Sequence, residues 1–160
     1  MEFSLVPVPL PEGANVIIGQ SHFIKTVEDL YEVMVTTVPG AKFGLAFNEA
    51  SGARLVRTEG NDDGLIKAAT ETALAVGAGH TFVLLVRDAY PINVLDRVKG
   101  CPEVCRVYCA TANPLEVIVC ATSHGRGIMG VVDGQPPIGV EREPDRQWRR
   151  DFQRKIGYKR

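Results

Sequence analysis

Three histidines supply the only imidazoles in the sequence, and each stands beside Gly or Ser: His22 in Gly19-Gln20-Ser21-His22, His80 in Gly77-Ala78-Gly79-His80, and His124 before Gly125-Arg126-Gly127. An imidazole titrates near neutral pH and is both a nucleophile and a proton carrier, so these are the first candidates for chemistry. His22 falls between an apolar strand pattern and the predicted start of a helix, where unpaired backbone amides attract anions and Lys25 adds a positive charge. That placement suits a phosphate-handling imidazole; the plainer use is a ring that satisfies a loop carbonyl. His80 opens the most apolar strand pattern of the chain, directly after a stretch with almost no side-chain bulk. There it can meet a ligand or cap the preceding helix as a cation. Glycines on either side of Arg126 let backbone approach a ligand while the guanidinium forks onto phosphate or carboxylate; the same tripeptide also makes an ordinary turn.

Amides and carboxylates at element ends form a second group. Asn48-Glu49 leaves a predicted strand, Asp62-Asp63 opens a predicted helix, and Asn93 and Asn113 sit in loops next to Pro91 and Pro114. Such groups can hold ribose hydroxyls, read a base edge or bind a metal, but the Asp pair reads first as helix caps and the Asn residues as Asx turns. No GxxxxGK[ST], GxSxG or HExxH is present and no GxGxxG leads from a strand into a helix, which excludes the ordinary loop that cradles a triphosphate. Cys101, Cys105, Cys109 and Cys120 match no zinc-ribbon or CxxC spacing and read as reduced, half-buried small hydrophobes.

The elements that must position these groups follow from periodicity. Residues 1–13, with Pro7, Pro9 and Pro11, predict an extended arm fit for a sheet edge at most. Asn15 to Gly19 reads as a strand, and Val27, Leu30, Tyr31, Met34 and Val38 predict a helix with Thr26 as its N-cap. Lys42–Ala50 and Arg54–Thr58 predict a hairpin, Leu65–Val76 a second helix ended by Gly77-Ala78-Gly79, and His80–Val86 a buried strand. Pro91 starts a short third helix. Two strand patterns follow, about Val104–Ala110 and Glu116–Thr122, then Ile128–Val132, and Pro144 opens a polar helix with Trp148, Phe152 and Ile156 in one stripe. That stripe predicts a core or subunit contact for Trp148. The predicted class is α+β, one domain over residues 1–160, with a mixed sheet and helices over one face.

Composition bounds the function. In 160 residues, 45% are hydrophobic and 23% charged, with 18 Lys and Arg against 19 Asp and Glu and a net charge of −1. This predicts a folded cytoplasmic protein and neither a nucleic-acid binder nor a membrane binder, since those surfaces recruit strongly basic chains. No apolar run approaches the ~20 residues that span a bilayer.

Residues 19–32 (GQSHFIKTVEDLYE), 42–52 (KFGLAFNEASG), 77–82 (GAGHTF), 91–95 (PINVL), 109–114 (CATANP) and 125–134 (GRGIMGVVDG), in that order, resemble the adenosine-specific kinase family. The resemblance covers the chain from about residue 15 onward. It implies binding of adenosine or AMP in preference to ADP or ATP, and a histidine that carries a stable phosphoryl group. It places His22 and His80 at family positions, with His22 as the phosphoryl carrier and His80 second, and leaves His124 outside the motif. Lys25 and Arg126 are then the donors to phosphoryl oxygens, and Glu49 orients the imidazole or takes the hydroxyl proton. Gln20, Ser21, Asn48, Asn93, Asn113, Gly125, Arg126 and Gly127 form the implied substrate-binding set. No cofactor or metal is implied. A homo-oligomer is, with a trimer as the state suggested. The rival function is an adenosine-binding or sensing module in which the phosphohistidine is a trapped state.

Overall fold

The computed structural model describes residues 1–160. In chain order the elements are β1 (Glu2–Val8), β2 (Asn15–Ser21), α1 (Thr26–Thr37), β3 (Lys42–Asn48), β4 (Val56–Gly60), α2 (Asp63–Val76), β5 (Thr81–Arg87), α3 (Pro91–Lys99), β6 (Val104–Thr111), β7 (Leu115–Ala121), β8 (Arg126–Asp133) and α4 (Glu143–Lys155). The strands form two sheets, one of five in the order β4-β3-β5-β2-β6 and one of three in the order β1-β7-β8.

The class is α+β, as the alternation of helices with neighbouring strands predicts. Two details differ from that expectation. Every strand pair is antiparallel, so neither sheet is mixed. Helices also cover both faces of the larger sheet, because β2, β3 and β5 bury side chains on each side and leave no face for water. On one face α1 and α3 bring Leu30, Met34, Val94 and Val98 onto Ile17, Phe43, Leu45, Phe82 and Leu84. On the other, α2 sets Leu65, Ala69, Ala73 and Val76 against Val16, Ile18, Val83 and Leu85, and the inner face of the small sheet closes this layer with Val8, Val117 and Val119. Phe43, Phe47 and Phe82 are among the largest fully buried side chains, each worth about 1.5–3 kcal/mol of apolar transfer.

Local signals explain the boundaries. Asp62 accepts from the Leu65 amide at 2.9 Å and starts α2; Gly77 ends it with a left-handed φ of 61°, which a residue without Cβ adopts at little cost. Pro91 opens α3. The N-terminal arm is an edge strand, β1. At α1 the expected Thr26 cap is displaced: Lys25 is the cap residue, and the Thr26 hydroxyl, fully buried, bonds the Phe23 carbonyl and meets Ser21 instead. Cys101, Cys109 and Cys120 are buried, Cys105 is exposed, and all four are free. Trp148 does not join the core: it is 66% exposed, and α4 buries none of its residues. No helix is long and apolar enough to cross a membrane.

Candidate functional site

The site grows from the far end of β2. Register shifts between Ile18 and Gly19 and between Gln20 and Ser21 turn the strand out of regular pairing with β6. Gly19 permits the close approach: a Cβ there would lie 2.3 Å from the Phe82 ring and 2.7 Å from the Arg106 carbonyl oxygen. Past the bulge, backbone bonds tie four loops together. The Ser21 amide donates to the His80 carbonyl at 3.0 Å, the His22 amide to the Glu103 carbonyl at 3.0 Å, and the His80 amide to the Asn48 carbonyl at 2.7 Å. The segments bearing His22 and His80, 58 positions apart in sequence, thus flank one strand end.

His22 is exposed in the connection to α1, and the amides of Phe23, Ile24 and Lys25 find no acceptor in the chain. Lys25 pairs with Asp29 and lies 3.9 Å from Oε2 of Glu103. Glu103 is 1% exposed, and neither of its carboxyl oxygens has a hydrogen-bond donor. Burial pushes its carboxyl above the usual range, and the neighbouring Asp29 adds to this. Asp29 is held below its ordinary value, chiefly by the bond from Lys25. The pair is therefore split: Asp29 ionises first beside Lys25, and Glu103 holds its proton to higher pH than an ordinary carboxyl. Lys25 in turn is raised, mainly by Asp29, and stays cationic.

His80 is half-buried, its ring stacked on Phe47 with centroids 5.9 Å apart at 14°. Its backbone holds φ 63°, which costs a residue with a Cβ about 1–2 kcal/mol. Glycine would be cheaper there, so the backbone alone gives no reason for histidine and the ring itself supplies one. The expected cap on α2 is not made by this ring. Asn48 donates to the Ala73 and Ala78 carbonyls at 2.9 and 3.0 Å, and Arg126 donates to the Ala75 carbonyl at 3.1 Å.

Asn48, Glu49, Gly77, Gly79, Gly125 and Arg126 line a cleft of about 440 Å³ at this end of the molecule, with His124 on its rim. That volume lies in the range of small-molecule sites. Oδ1 of Asn48 is buried there without a partner, an acceptor aimed at nothing in the chain. Glu49 is fully engaged: Oε1 takes Nη2 of Arg57 at 2.8 Å and Oε2 the Leu55 amide at 2.8 Å, which together hold its carboxyl below the usual range. It ties the hairpin loop, with one bond already made to each oxygen.

Two predicted substrate contacts lie elsewhere. Asn93 accepts from the Tyr90 amide at 2.9 Å as part of the α3 cap, and Asn113 donates to Asp133 at 3.0 Å. Their sequence neighbours Ile92 and Ala112 line a cleft with Asn15, at the opposite end of β2 and roughly 20 Å from Ser21 at 3.3 Å per residue. Gln20 and Ser21 belong to the site end, Ser21 as a buried hydroxyl 2.6 Å from that of Thr26. Glu103, Asp29 and Phe47 escaped the sequence reading. The signal for Glu103 was slight: a single acid in Cys101-Pro102-Glu103-Val104, entering a strand without an adjacent cation.

Fold and site together define a small α+β protein with two imidazoles, a cationic helix start and a nucleoside-sized cleft gathered at one sheet end. The chain belongs to the adenosine specific kinase family, whose profile matches residues 6–159. Among solved structures it is similar to the PH1918 protein from Pyrococcus horikoshii OT3, at 45% identity and a TM-score of 0.95 over 99% of this chain and 98% of that one. No curated protein matches it. Membership of the family carries an adenosine-related function.

Proposed function

We propose that this protein binds adenosine or AMP at the sheet end between His22 and the Asn48–Arg126 cleft, and that an imidazole there exchanges a phosphoryl group with the nucleoside 5′ oxygen. The observation that carries the reading is the tie between Ser21 and His80, which sets both histidine loops beside free amides and the Lys25 ammonium. Phosphoryl oxygens are stabilised by such fixed donors. In the forward step the 5′ oxygen bonds phosphorus as the phosphorus–nitrogen bond breaks. The bonding pair returns to the ring nitrogen, and that nitrogen takes the hydroxyl proton. AMP and free histidine result, and the reverse step reloads the ring from AMP. His22 is the first carrier and His80 the second. Arg126 keeps guanidinium nitrogens free for an anion beyond its bond to Ala75, and the unpartnered oxygen of Asn48 suits a donor such as the adenine amino group.

The occupied oxygens of Glu49 favour a second reading, in which no base stands ready and the phosphohistidine is a long-lived trapped state in a binding module. The protein acts as a homo-oligomer in either case. Intact-mass analysis and transfer of labelled phosphate to adenosine test the proposal. His22→Asn removes the phosphoryl increment and stops transfer while nucleoside affinity persists, whereas His80→Asn keeps the increment. The reverse pattern exchanges the two roles. Persistence of the increment in both variants removes histidine chemistry. Calorimetry gives heat with adenosine or AMP and little with ATP, and tight binding of ATP with magnesium overturns the reading.

A further inference from the structure

Glu103 is the one charged residue that the fold seals inside: it is 1% exposed, and neither oxygen of its carboxyl receives a hydrogen bond. Such a group costs stability, and an apolar side chain of similar volume in its place is commonly neutral or favourable. Packing alone therefore gives no reason for an acid at the entry to β6. Its neighbours do.

Two groups of the His22 loop converge on this residue. Its main-chain carbonyl accepts the His22 amide at 3.0 Å, and Oε2 of its carboxyl lies 3.9 Å from Nζ of Lys25. Lys25 also pairs with Asp29, one turn further along α1. The three side chains grade from solvent to interior, Lys25 at 45% exposure, Asp29 at 27% and Glu103 at 1%. A lysine held by one partly exposed partner is loosely placed, because its own torsions and water compete with the pair. A second carboxyl set in the packed interior narrows that freedom. The other side of the loop is pinned in a similar way, by the buried hydroxyls of Ser21 and Thr26, 2.6 Å apart. Between these anchors stand the amides of Phe23, Ile24 and Lys25, which have no acceptor in the chain.

We propose that Glu103 is a positioning residue of the phosphoryl site: its carbonyl sets the His22 amide, and its sealed carboxyl, with Asp29, holds the Lys25 ammonium where it meets the oxygens of a phosphoryl group on His22. This rests on the phosphohistidine reading and adds to it the group that orients the cation. Glu103 touches neither nucleoside nor phosphorus and acts through Lys25. An ammonium carries three N–H donors, so Lys25 keeps Asp29 and still has donors for a phosphoryl oxygen.

The full chain is incubated with AMP, freed of nucleotide and assayed by intact mass for the phosphoryl increment, with urea midpoints and adenosine calorimetry beside it. Glu103→Leu keeps the main-chain carbonyl and should lower the ratio of loaded to free chain about tenfold, the weight of one charge-assisted hydrogen bond. Its urea midpoint holds or rises, and adenosine affinity is unchanged. Glu103→Gln restores most of the increment, since its amide oxygen accepts from Lys25 and its NH₂ donates to Asp29. Lys25→Ala retains part of the increment through the free amides, and adding Glu103→Leu to it has no further effect. Glu103→Met takes the place of Glu103→Leu if that variant does not fold. A full increment in Glu103→Leu, or an equal further loss in the Lys25→Ala background, overturns this role and leaves the phosphohistidine reading standing. A loss of increment that follows a falling urea midpoint makes Glu103 structural only and overturns the role as well. Absence of any increment from wild type overturns both.

Discussion

Glu103 shows how one buried side chain links stability to the site. Its carboxyl is held above the usual value by burial, so the folded chain keeps that proton more firmly than the unfolded chain does. The stabilisation is complete below the unfolded carboxylate value of about 4.3 and is lost as pH rises through the folded value. Asp29 works in the opposite sense: lowered in the fold, it contributes above its unfolded value of about 3.9 and loses that share in acid. The two windows therefore separate, and above about pH 4.5 the drift belongs to Glu103. Glu103→Gln keeps a donor toward Asp29 and cannot ionise. Urea midpoints measured from about pH 4.5 to 7 should fall for wild type relative to the variant, and a difference independent of pH would place the carboxyl outside this account. Because the Glu103 carbonyl holds the His22 amide, the same titration should broaden or shift the His22 ring signals in NMR spectra.

Among the elements, α2 was the most legible in the sequence and its partners the least. Asp62, the apolar spacing and Gly77 each act within a few residues, so the helix could be bounded without knowing the fold. Asp62→Ala should lower the unfolding free energy by about 1 kcal/mol in denaturant titration, since it leaves the Leu65 amide without its acceptor. Strand pairing is a different matter: β1 meets β7 across more than a hundred residues, and nothing local in Glu2–Val8 names that partner. The split into two sheets was invisible for the same reason. So was the meeting of His22 with His80, which depends on a bulged strand end and on loops joined through backbone atoms common to every residue type. Residue type alone makes Thr26 a cap, whereas in the fold Lys25 holds that position and the buried Thr26 hydroxyl bonds the Phe23 carbonyl and meets Ser21. Gly19 is where sequence and site geometry meet most tightly. Gly19→Ala should cost about 1–3 kcal/mol and weaken nucleoside binding as well, because the Phe82 ring or the Arg106 carbonyl must move. Equal affinity in a destabilised variant would separate the bulge from the site.

At the scale of the whole molecule, residues 135–160 hold exposed apolar side chains and an excess of Lys and Arg, and none of them is buried. The body folds around two layers of core that α4 never enters, so α4 lends no buried side chain to the stability of one isolated chain. If second copies cover it, assembly stabilises the native state by mass action and the midpoint rises with protein concentration. Phe152→Glu removes that coupling and leaves the core untouched, because Phe152 contacts no buried cluster. Thermal melts over a hundredfold range of concentration should therefore climb for wild type and stay level for the variant, and the two should converge on dilution. A variant midpoint that remains lower at the most dilute point would mean that α4 supports its own chain, and the helix would then have to pack onto the body through the Tyr90–Ile92 cleft wall instead.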